Sequence, residues 1–144
     1  PPGVLGTLGD TLCAFPGDAA TPRALGGIGA GQEVGRALGN RHTFAEKSAD
    51  GLVLRRGFQI APNERFIIAE DVVTRGGRVQ ETADIFRQHG GIVAAIGVIV
   101  DRSGGQHPDF GCPFVSLVEM NVETFAADQL PPDLAQSPAV KPGS

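Results

Sequence analysis

The chain has 144 residues, 16 of them acidic and 12 basic, for a net charge of −4. That length suits one domain with a sizeable core, and the acidic balance argues against a general nucleic-acid binder, which needs a basic face. No run of about 18 apolar residues occurs, so no membrane span is expected. The start is rich in Pro and Gly and has no basic stretch ahead of an apolar one, so no signal peptide is expected and a cytoplasmic protein is. Cys13 and Cys112 lack the spacing of a metal site, and two thiols are expected in preference to a disulfide.

Residues 1–23 show neither a helical period nor a clean strand, and their Gly and Pro density predicts an irregular segment. Ala24-Leu25-Gly26-Gly27 then leads into a helix whose apolar face is Ile28, Val34, Ala37 and Leu38, with Gly39 as its stop. A Gly-Gly pair ahead of a helix is a candidate anion site, although many helices begin after glycine for backbone reasons alone. His42-Thr43-Phe44-Ala45 predicts a short strand. Glu46-Lys47, a polar turn at 48–51 and Leu52-Val53-Leu54 follow, ending in Arg55-Arg56-Gly57-Phe58. This reads as a hairpin. It is either an exposed hairpin with solvated charges or a lid that carries Lys47 over a polyphosphate and excludes water.

After a turn at 61–64 comes the stretch that organises the rest, RFIIAEDVVTRGGRVQE over 65–81. Phe66-Ile67-Ile68-Ala69 predicts a strand buried on both faces. Glu70 and Asp71 stand at its carboxyl end, where open α/β sheets place their ligand crevice. Thr74-Arg75-Gly76-Gly77-Arg78 supplies flexible backbone just before a helix, able to aim several N–H groups at one anion with the helix dipole behind them. The helix is expected from about 77 to 89, with Val79, Thr82, Ala83 and Phe86 on one face and His89-Gly90-Gly91 ending it. IVAAIGVIV over 92–100 is a second buried strand, so the order is βαβ and the strands should be parallel. Arg102 follows that strand. It faces either the crevice or a carboxylate such as Asp101. Residues 113–120 predict a further strand. The tail 126–144 is expected as an irregular segment packed on a core domain spanning 24–125.

No G-x-G-x-x-G and no G-K-[ST] is present, which disfavours a dinucleotide fold and a Walker A loop. Two carboxylates joined directly to an anion turn point instead to a ligand with hydroxyls and a phosphate, a ribose phosphate.

Glu70-Asp71-Val72-Val73-Thr74-Arg75-Gly76-Gly77 resembles the phosphoribosyl-pyrophosphate (PRPP) motif of the type I phosphoribosyltransferases, whose parallel sheet flanked by helices is the expected α/β fold. Ala24-Leu25-Gly26-Gly27, Ala45-Glu46-Lys47, Leu54-Arg55-Arg56-Gly57-Phe58, Val100-Asp101-Arg102 and Lys141-Pro142-Gly143-Ser144 extend the resemblance, over roughly 24–144, to the orotate phosphoribosyltransferases. The resemblance implies transfer of phosphoribose from PRPP to orotate, giving orotidine 5′-monophosphate and pyrophosphate in pyrimidine synthesis. It implies Mg²⁺ carried by PRPP with no direct protein ligand. Glu70 and Asp71 would face the ribose hydroxyls, with Asp71 and Lys47 the catalytic pair. Val72, Val73 and Thr74 to Arg78 would hold the phosphoribose. Ala24 to Gly27 would form the pyrophosphate loop. Lys47 would sit on a mobile loop reaching a homodimer partner, and Thr74 and Arg102 would meet orotate, the latter with a guanidinium suited to a carboxylate. Arg75 and Arg78 depart from the small or hydroxylated residues of many relatives, and 1–23 lacks the expected strand and hood. A truncated or altered start is therefore expected. The alternatives are a non-catalytic or defective PRPP-binding regulator and a transferase for another base.

Overall fold

The computed structural model describes residues 8, 10–12, 19–22, 24–39, 41–43, 45–48, 51–54, 59–126 and 128–137. Cys13, Arg55-Arg56-Gly57-Phe58 and Lys141-Pro142-Gly143-Ser144 lie outside them, as do the side chains of 24–27 and Lys47.

The centre is a five-stranded, wholly parallel sheet. Its strands are β1 (Ala19–Pro22), β2 (Arg41–His42), β5 (Arg65–Val73), β6 (Ile92–Asp101) and β7 (Phe114–Glu119), in the order β2-β1-β5-β6-β7. Helix α1 (Ala24–Ala37) joins β1 to β2, and α2 (Gly77–Gln88) joins β5 to β6. A separate antiparallel hairpin, β3 (Ala45–Ser48) with β4 (Gly51–Leu54), interrupts the return from β2 to β5. A single helical turn, α3 (Pro132–Ala135), lies in the tail.

The period-2 alternation of a strand splits β5 between two cores. Phe66 and Ile68 join Val79, Ala83 and Phe86 of α2 with Val93, Ile96, Val98 and Phe110. Ile67 and Ala69 join Val34 of α1, Ala95, Leu8 and Leu12. The first core is built around aromatic contact, with the Phe66 and Phe86 rings 4.7 Å apart. The second uses small sheet residues and a filler: a Cβ at Gly97 would come within 2.5 Å of Leu12 Cδ1.

Three expectations are corrected here. Residues 1–23 are not irregular throughout, because Ala19-Ala20-Thr21-Pro22 is an interior strand pairing with β2 and β5. Pro22 sits at its last position, where a missing N–H costs the ladder least. Leu8 and residues 10–12 are helical, and Leu8 and Leu12 are fully buried. The tail also departs from its reading. It contains a helical turn at 132–135, and its described residues are exposed except for half-buried Pro131. A hairpin is present, but its first strand is Ala45–Ser48 rather than 42–45, since Arg41–His42 pairs with β1 in the main sheet. The βαβ unit, the strand at 114–119 and the stop at Gly39 (φ 66°) match expectation. So does the buried face of α2, made by Val79, Thr82, Ala83 and Phe86.

Candidate active site

Strand order reverses between β1 and β5. The chain moves outward from β1 to β2, then returns to lay β5 on the other side of β1. Connections leaving the carboxyl ends of these two strands go to opposite faces, and the crevice between them is where such sheets bind ligands. A cavity of about 330 Å³ opens at the carboxyl end of β5, lined by Glu70, Val72, Val73, Thr74, Arg75, Gly76, Gly77, Arg78, Val79 and Glu81. That volume suits a sugar phosphate.

Two features shape its wall. The first is β5, which runs on through the carboxylates to Val73 because β6 keeps pairing with it, Glu70 opposite Val98 and Val72 opposite Val100. Glu70 is 8% exposed and lines the cavity. Its Oε1 accepts the Asp71 N–H at 3.2 Å, and Asp71 Oδ1 accepts the Val72 N–H at 2.7 Å, so the backbone orients both carboxylates. Asp71 is half-buried and is not among the residues that line the cavity.

The second feature is the turn 74–76. Gly76 caps α2 at φ 71°, a left-handed conformation that favours glycine, and offers no side-chain cap. The first intrahelical bond is Gln80 N–H to Gly76 O at 2.9 Å. The N–H groups of 77–79 are thus the ones a helix leaves over for a ligand. Neither α1 nor α2 carries an acidic residue in its first turn, the position where a carboxylate would otherwise satisfy the dipole. Arg75 and Arg78 are both exposed at the rim and add positive charge.

The other expected residues distribute around this cavity. Arg102 follows β6, and its N–H donates to Val73 O at 2.7 Å, which ties its main chain to the cavity wall while the side chain is exposed. The neighbouring carboxylate, Asp101, accepts the Ser103 N–H at 2.8 Å. Ala24 to Gly27 are not a loop. They are the first turn of α1, following β1 after a single residue. Lys47 lies in β3 opposite Leu52, on a hairpin whose strands neighbour α1 and α2. Residues 107–110, which cover the back of the turn at Gly76, were missed by sequence reasoning; only the Gly76-Gly77 pair hinted that something must approach closely.

No protein-family model matches the chain. It is 46% identical over 127 residues to an orotate phosphoribosyltransferase of Sphingopyxis alaskensis, covering 88% of this chain and 65% of that one. With the orotate phosphoribosyltransferase of Caldanaerobacter subterraneus subsp. tengcongensis it shares 46% identity over 121 residues, 84% of this chain and 63% of the relative. The chain thus spans somewhat under two thirds of the length of these relatives. Among solved structures, adenine phosphoribosyltransferase from Thermoanaerobacter pseudethanolicus matches with a TM-score of 0.70 at 18% identity, covering 81% of this chain and 78% of that one. Orotate phosphoribosyltransferase from Aeropyrum pernix matches at 0.64 and 20% identity, covering 79% and 70%. The fold is that of the type I phosphoribosyltransferases.

Proposed function

We propose that this chain carries the PRPP site of an orotate phosphoribosyltransferase and transfers phosphoribose to orotate, with release of pyrophosphate. The observation that carries the reading is the join of buried Glu70 to the uncapped, glycine-led turn of α2 around one cavity. The likeness of 88% of the chain to an orotate phosphoribosyltransferase supports it.

In this reading the 5′-phosphate rests on the N–H groups of 77–79, with Arg75 and Arg78 adding charge. Glu70 and Asp71 bind the ribose hydroxyls and stabilise the positive charge that builds at the anomeric carbon as its bond to pyrophosphate breaks. Arg102 pairs with the orotate carboxylate. The first turn of α1, at 24–27, offers its N–H groups to the pyrophosphate, and Lys47 closes over it on the hairpin. Little proton transfer is required, so positioning supplies much of the effect.

A magnesium ion would fit here as a passenger on PRPP, since Glu70 and Asp71 would present only oxygens, which suit a hard cation, and no direct protein ligand would be required. When bound, the ion neutralises charge on the departing pyrophosphate. A cytoplasmic homodimer in which Lys47 serves the neighbouring site completes the reading. Among the described residues no helix is long and apolar enough to cross a membrane.

The test is an ultraviolet assay of orotate consumption with PRPP and Mg²⁺. Loss of orotate that requires PRPP, with formation of orotidine 5′-monophosphate, is the expected result. PRPP binding without turnover of orotate would favour a regulator instead, and turnover of adenine or uracil would reassign the acceptor. In Lys47→Ala, turnover should fall at least about tenfold, about 1.4 kcal/mol of transition-state stabilisation, with PRPP affinity largely kept. Unchanged turnover removes Lys47 from the mechanism.

A further inference from the structure

The phosphate turn has an open side and a covered side. Thr74, Arg75, Gly77 and Arg78 are exposed, whereas Gly76 among them is buried. What covers it is the connection from β6 to β7. A Cβ at position 76 would meet Pro108 Cδ at 2.8 Å, Phe110 Cζ at 2.9 Å and His107 Cβ at 3.2 Å. The covering loop is itself braced. The His107 and Phe110 rings stack with centroids 5.2 Å apart and planes at 11°, and both lean on Phe114 of β7, at 4.4 and 5.4 Å. Arg87, in the last turn of α2, donates to the Phe110 carbonyl, and Asp109 accepts the Gly111 N–H at 2.8 Å. The loop is therefore fastened to α2 at both ends, by packing at the N-cap and by Arg87 near the C-terminus.

We infer that His107 and Phe110 are positioning residues for phosphate binding. They do not touch the ligand. Phe110, with Pro108, closes on Gly76 in its left-handed conformation, and the His107 ring braces Phe110 from behind, so that the following N–H groups already converge on the phosphate before it arrives. The physical need is clear from the residues: Gly76-Gly77 with no side-chain cap would otherwise sample many backbone states, and ordering them on binding weakens affinity. The inference rests on the turn being the 5′-phosphate site proposed above.

Calorimetric titration of the full chain with ribose 5-phosphate and with PRPP, together with initial rates, tests it. Wild type should bind both ligands. His107→Ala should weaken both by about tenfold, equivalent to about 1.4 kcal/mol, and raise KM for PRPP alike while kcat at saturating PRPP changes less than about twofold. His107→Phe keeps the planar ring and should restore binding. Phe110→Leu should lose affinity in the same direction and serves if His107→Ala does not fold. Wild-type affinity in both His107→Ala and Phe110→Leu overturns the wedge and leaves the phosphate site standing, and failure of His107→Phe to restore binding also overturns it. Wild type that binds neither ligand refutes both the site and the wedge, and that arm alone identifies the case.

Discussion

Two strand-to-helix turns meet at the switch point of the sheet, and they are built differently. Between β1 and α1 only residue 23 intervenes, and the helix begins at once. Between β5 and α2 three residues intervene, the last of them a left-handed glycine pressed from behind by another loop. The short connection can present only the end of a helix. The longer one bends the chain into a cradle and places a buried carboxylate, Glu70, at its lip. Glycine serves opposite ends in the two. At Gly29 of α1 it is a helix residue with open space around it, whereas at Gly76 it is the only residue that fits.

That contrast can be broken most severely from inside. Phe86→Ala removes the ring tilted against Phe66 beneath α2 and should cost about 3–5 kcal/mol in chemical denaturation. A loss near 1 kcal/mol would mean that α2 is not anchored by that face. Gly76→Ala comes next. The left-handed conformation costs an alanine about 1–2 kcal/mol, and crowding against Pro108 and Phe110 adds about 1–3 kcal/mol. Stability should drop by their sum and ribose 5-phosphate affinity with it. Gly29→Ala should have the reverse sign, raising stability by about 0.5–1 kcal/mol, because α1 gains a better helix former at an exposed site with nothing within 4 Å. Equal effects at 29 and 76 would erase the distinction between the turns.

The smallest effect concerns Cys112, at the end of the covering loop. Burial pushes its thiol pKa up, with Asp109 adding to the rise and Arg87 opposing it. The folded chain therefore holds this proton more tightly than the unfolded one. The stability so contributed is complete below the ordinary thiol pKa and is lost as pH rises through the folded value, in the alkaline range. Alkylation by iodoacetamide at pH 8 should be slower for the native chain than for the chain in urea, and equal rates would contradict the burial.

Sequence legibility followed how local each signal was. The order and type of the elements over 65–101 could be read, although the first strand runs to Val73 rather than ending at Ala69, because a branched apolar strand, a glycine turn and an amphipathic helix each announce themselves within a few positions. The cavity-lining residues fell inside it for the same reason. Ala19-Ala20-Thr21-Pro22 could not be read as a strand, since only Thr21 in it favours a strand; partners on both sides, far along the chain, impose the conformation. Leu8 and Leu12 did carry an i, i+4 signal, diluted by surrounding glycines. The wedge at 107–110 was illegible because it is a contact between a loop and a backbone atom, and sequence patterns record side-chain faces, not backbone approaches.

The position of β1 has a consequence for how the molecule is assembled. It leaves the ribosome before either of its neighbours, yet its ladder needs β5 on one edge and β2 on the other. Four residues of Ala, Thr and Pro cannot hold themselves extended while they wait. The βαβ unit of 65–101 closes through comparatively short-range contacts and is placed to form early, whereas β1 must return across more than forty residues of chain, a slower kind of closure. The ladder that joins β1 to β5 thus depends on a longer loop closure than the one that joins β5 to β6.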